Sequence, residues 1–105
     1  MVHHVALYKL LPDVSQETLE EMVRRTRSLL LKVPEALAVR SGKRIDPRCE
    51  FPFFVAIDFE NLAKQRMFRD DPVYYKFIEE VIRPHTAAEV LLDYEMEPGR
   101  NVKYS

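Results

Sequence analysis

Residues 51–77 read FPFFVAIDFENLAKQRMFRDDPVYYKF, and the fold turns on how this stretch is parsed. Phe53 to Phe59 is the strongest strand signal in the chain, dense in aromatic and β-branched residues, with large side chains on both faces until Asp58. Asn61 is a good N-cap for a helix of two to three turns over Leu62–Arg69. Asp71 then caps a further helix with Pro72 at its first position, where the missing N–H costs nothing. From there Tyr74, Phe77, Ile78, Val81 and His85 keep helical spacing along one stripe, until Arg83 and Pro84 end the helix. Most of the chain's aromatic side chains fall in or beside this segment, so a core or a ligand pocket is built here.

Working outward, Val2 to Leu11 alternates as a strand, with His4, Ala6, Tyr8 and Leu10 on one face and Val5, Leu7 and Lys9 on the other. Gln16 to Lys32 has the three-and-four apolar spacing of an amphipathic helix, with Asp13 or Ser15 as its cap. Its acidic residues come first and its basic residues later, which suits the helix dipole. Ala36 to Ile45 is a second strand, in which Gly42 marks a bulge or a close backbone approach. Glu89 to Met96 alternates again, with Val90, Leu92, Tyr94 and Met96 facing one way and Leu91, Asp93 and Glu95 the other. The order β-α-β-β-α(α)-β is the ferredoxin-like arrangement, an α+β fold whose four-stranded antiparallel sheet carries its helices on one face. The other face of such a sheet normally meets water, yet here it holds Val5, Leu7 and one of Phe53 or Phe54. The same face of a second copy is the simplest cover.

At 105 residues there is room for one domain, expected over residues 1–97, with a tail over 98–105. Sixteen basic residues balance seventeen acidic ones, for a net charge of −1, so nucleic acid and anionic membranes are not expected partners. The single cysteine, Cys49, cannot form an internal disulfide, no leader is evident, and a cytoplasmic protein is expected. No stretch approaches the length of a membrane helix. His3 and His4 point to opposite faces of their strand and cannot chelate one ion, so neither a metal nor a cofactor is expected.

The opening HHVALYKL, the strand ending IDFEN, the DPVYYKF segment and the closing VLLDYE together resemble the stress-responsive A/B barrel domain (Dabb) family. The resemblance runs from Val2 to Glu95, and its most specific points are His4, Pro72 with Phe77 after it, and the Asp93-Tyr94 pair. It implies a homodimeric α+β barrel, with two ferredoxin-like units packed sheet against sheet and a pocket between each sheet and its helices. A plant polyketide cyclase of this family closes its substrate without a cofactor, using a tyrosine and a histidine whose positions here are Phe68 and Tyr74. A further pocket histidine of that enzyme falls at Phe53, so its mechanism does not carry over.

The pair expected to carry any chemistry is His4 with Asp93. The first and last strands of this fold are antiparallel neighbours, and a carboxylate there orients the imidazole of a general base. The plain alternative is a hydrogen-bonded pair that satisfies two polar groups. Tyr74 is expected to address a carbonyl oxygen, with Tyr8, Phe54, Phe68 and Phe77 shaping an apolar wall. Two functions follow: a protein that holds a small apolar or aromatic molecule unchanged, or a cofactor-independent enzyme of isomerase or cyclase type. Whether it is an enzyme stays open at this level.

Overall fold

The computed structural model describes residues 1–97, so the tail expected at 98–105 lies outside the described residues. Four strands, β1 (Val2–Leu10), β2 (Ala38–Lys43), β3 (Phe53–Phe59) and β4 (Thr86–Glu95), form one antiparallel sheet in the order β2-β3-β1-β4. Helices α1 (Gln16–Leu30), α2 (Leu62–Arg69) and α3 (Pro72–Phe77) complete the ferredoxin-like α+β fold expected from the sequence.

Each helix starts where a side chain can replace the missing backbone acceptor. The Ser15 hydroxyl accepts from the Thr18 N–H, Asn61 from Lys64 and Asp71 from Val73, so Ser15 and not Asp13 caps α1. One stripe of α1 then buries Leu19, Met22, Thr26, Leu29 and Leu30. Thr26 is tolerated in that stripe because its hydroxyl donates to the Met22 carbonyl at 2.7 Å. The helix opening at Pro72 does not run on as a regular α-helix. Over Ile78–Ile82 it widens to a π turn, with the Arg83 N–H bonded to the Ile78 carbonyl at 2.8 Å.

Strand register settles which face each residue serves. Val2, Ala6 and Tyr8 lie opposite Phe59, Val55 and Phe53, and all six are buried beneath the helices. Leu7, Val5 and His3 lie opposite Phe54, Ala56 and Asp58 on the other face. Gly42 pairs with Phe54 there, and a Cβ on it would stand 2.7 Å from the Phe54 ring. That is the close approach the sequence suggested. The helices do not extend over β4: Leu91, on the helix side, is 50% exposed, and Val90 and Tyr94 on the open face are exposed as well.

Candidate functional site

Antiparallel pairing sets His4 directly opposite Asp93, both on the helix side of the sheet. The imidazole Nδ1 lies 2.7 Å from Asp93 Oδ1. A carboxylate only accepts, so Nδ1 carries the hydrogen and the remaining ring nitrogen is left as the basic one. That nitrogen makes no hydrogen bond among the described residues. The His4 side chain is 12% exposed and that of Asp93 42%.

Asp93 is held from a second side. Gln65, buried in α2, donates through Nε2 to the same Oδ1 at 2.8 Å. Oδ2 faces the Arg69 guanidinium at 4.0 Å, which is an ion pair but too long for a hydrogen bond. Partial burial pushes the Asp93 carboxyl up. The hydrogen bonds from His4 and Gln65 and the nearby charges more than offset this, and hold it below the usual carboxylate range.

Tyr74 reaches the same place from α3. Its ring lies 5.0 Å from that of Phe68, which in turn stands edge-on to Phe59 at 5.0 Å. His4, Phe59, Gln65, Phe68, Arg69 and Tyr74 line a partly open cavity of about 10 Å³. That is room for one water or one ligand atom, and not for an aromatic ring. Burial raises the Tyr74 phenol above its ordinary value, against the pull of Arg69, so it is neutral and able to donate near pH 7. A far larger groove of about 760 Å³ opens beyond Asp93, between the start of α2 and the ends of β1 and β4. Neither His4 nor Tyr74 lines it.

The sequence-predicted residues therefore divide. His4, Asp93, Tyr74 and Phe68 come together. Tyr8 is buried on the same sheet face but packs on Phe53, with ring centres 5.6 Å apart, and does not line the small cavity. Burial, then Tyr74 and Glu89, push its phenol far above the ordinary range. Phe77 sits in the core, 6.2 Å from the Tyr74 ring. Phe54, expected in the apolar wall, stands on the open face instead, and Phe53 takes the inward place, because the register of β3 on β1 sets Phe53 opposite the buried Tyr8 and Phe54 opposite Leu7.

Gln65 and Arg69 were not anticipated. The signal was available, since Gln65 and Arg69 stand four residues apart on one face of α2 and a buried glutamine needs a partner. A second histidine–carboxylate pair was missed as well. On the open face His3 Nδ1 lies 2.6 Å from Asp58 Oδ1, and Arg40 lies 3.5 Å from Oδ2. Among the described residues no three His, Cys, Asp or Glu side chains gather to hold a metal ion, and no helix is long and apolar enough to cross a membrane.

Comparison of the sequence with curated proteins gave no match. Among solved structures, the chain is similar to a Dabb family protein with a ferredoxin-like fold from Mesorhizobium loti (TM-score 0.79, 14% identity, covering 91% of this chain and 96% of that one). It is also similar to a dimeric ferredoxin-like protein of unknown function from Thermobifida fusca (TM-score 0.81, 20% identity, 90% of each chain). A third is a hydroxynitrile lyase from Passiflora edulis (TM-score 0.79, 20% identity, 92% and 94%). At these identities the likeness shows the fold. The Stress responsive A/B Barrel Domain family model matches residues 2–96, and the chain belongs to that family.

Proposed function

We propose that this chain is a homodimer that binds a small carbonyl compound between sheet and helices and moves a proton on it without a cofactor. The observation that carries the reading is the His4 imidazole, fixed through Nδ1 by Asp93, lining a water-sized cavity together with the neutral phenol of Tyr74. An oriented base and a hydrogen-bond donor around one atom-sized space suit enolisation. The free His4 nitrogen takes a proton from the carbon beside the carbonyl. The C–H electron pair becomes the carbon–carbon double bond, and the oxygen gains charge against the Tyr74 O–H. Return of a proton from the imidazolium to the same carbon restores the ketone and regenerates the base. The expected apolar or aromatic part of a ligand has no preformed enclosure at this cavity, and would lie outside it across the uncovered side of β4, where Leu91 is exposed.

The homodimer reading rests on the open sheet face, where Val5, Leu7, Phe54, Leu92 and Tyr94 stand together, and on the several similar structures described as dimeric. The site reading is tested by incubating a panel of small enolisable ketones in deuterated buffer and following loss of the α-proton signal by NMR. Exchange well above the buffer rate, abolished in His4→Ala, is the expected result. Equal rates for wild type and His4→Ala would refute it.

A further inference from the structure

The proposed site is electrically lopsided along β4. Asp93 and Glu89 lie four residues apart on its helix side, opposite His4 and Tyr8 respectively, which at the strand rise is about 13 Å. At the Asp93 end stands Arg69, and at the far end Glu89. Tyr74 lies between and senses both: Arg69 favours its ionised form and Glu89 opposes it. Tyr8, further along, senses Tyr74 and Glu89.

The Arg69 guanidinium is the group left over. Asp93 accepts from His4 and Gln65 on one oxygen, and its other oxygen is 4.0 Å from Arg69, beyond hydrogen-bond reach. Arg69 makes no hydrogen bond among the described residues, although its half-exposed side chain lines the same cavity as His4 and Tyr74. A planar fork of donors that makes no hydrogen bond and meets Asp93 only as a 4.0 Å ion pair, beside a space for a single ligand atom, fits the carboxylate of a bound molecule.

We propose that Arg69 sets the substrate class: the site takes a small oxocarboxylate, with its carbonyl oxygen in the cavity between His4 and Tyr74 and its carboxylate on Arg69. Glu89 repels the reversed orientation, so the two charges together fix which end enters. The inference rests on the reading of the His4 site given above, and goes beyond it by requiring an anionic group of a kind that reading does not need.

The test compares pyruvate with acetone, which lacks the carboxylate, by following the His4 imidazole resonances at low ionic strength, where the contact is least screened. Pyruvate should bind on the order of tenfold more tightly, the size of one charge-assisted contact at a partly exposed site. Arg69→Gln should remove that preference, whereas Arg69→Lys, which keeps the charge but not the fork, should retain part of it. Arg69 is half-exposed and makes no hydrogen bond, so neither variant should disturb folding. Equal binding of the two probes with a clear His4 response would overturn the role of Arg69 and leave the His4 site standing. No His4 response to either probe would overturn both.

Discussion

Phe68 is where packing and the candidate site meet, and its removal has a cost that can be worked out in advance. The ring is almost completely buried, packed between Phe59 and Tyr74 at 5.0 Å from each, and it forms one wall of the His4 cavity. A buried phenylalanine removes roughly 150–250 Å² from water. Truncation to alanine forfeits about 100 Å² of that, worth about 2.5 kcal/mol at 25 cal/mol per Å². The two aromatic contacts add about 0.5–1.5 kcal/mol each. Phe68→Ala should therefore cost about 4 kcal/mol, inside the ~3–5 kcal/mol seen for such core truncations and a large share of the ~5–15 kcal/mol a domain possesses. Phe68→Leu keeps most of the volume and loses the ring contacts, for about 2 kcal/mol, or a fall in Tm of roughly 8–16 °C. Urea unfolding of wild type and both variants, at one fixed protein concentration, reads these values. If Phe68→Leu costs less than about 0.5 kcal/mol, the ring is not the keystone between α2 and α3 that the contacts make it, and the account of the cavity wall fails with it.

Further predictions follow from other parts of the chain. Leu7→Asp places a charge in the apolar open face, and if the proposed homodimer forms through that face, sedimentation of wild type and variant should show a dimer and a monomer respectively; a dimer for both would refute the face assignment. Ser15→Ala removes the cap of α1 and should cost about 1 kcal/mol in thermal unfolding, while Asp13→Ala should be near neutral. Because the folded-state value of Asp93 lies below its unfolded value, it contributes stability above the ordinary carboxylate range, and that contribution is lost as pH falls through the folded value. In Asp93→Asn the acid limb of a stability–pH profile should be shallower than in wild type, by a small amount given how exposed the carboxyl is; identical profiles would argue against the His4 and Gln65 contacts.

Much of the fold was legible because local signals agreed with one another. β3 and α2 fall at the positions expected, since Asn61 and the Asp71-Pro72 pair punctuate that region without ambiguity. β2 is shorter than its pattern suggested, ending at Lys43, and β4 begins earlier, at Thr86. Strand ends are set by which backbone groups find partners across the sheet, which no short window of sequence contains. The His4–Asp93 contact could be foreseen, because the topology makes β1 and β4 neighbours. Phe53 and Phe54 could not be told apart, since both are phenylalanine and the choice depends on a register fixed by β1 and β2 together. The π turn after Phe77 was hidden for a similar reason: Ile78, Val81 and Ile82 are all apolar, and such a run does not reveal how tightly the helix winds.

The two histidine–carboxylate pairs have a consequence for how β1 finds its place during folding. A strand with apolar groups on both faces is poorly protected against slipping along its neighbours, because Val5 and Leu7 would be accepted where Ala6 and Tyr8 belong. His3 and His4 are consecutive and reach opposite ways, to Asp58 on β3 and Asp93 on β4. Only the native register sets a histidine against both aspartates: a slip of one residue leaves a histidine opposite Asp58 or Asp93 but not both, and a slip of two leaves neither. The pairs thus act as a two-sided key, cut so that only one alignment of three strands turns. Replacing both histidines with valine would leave a strand with ample appetite for its sheet and little to tell it where to stop.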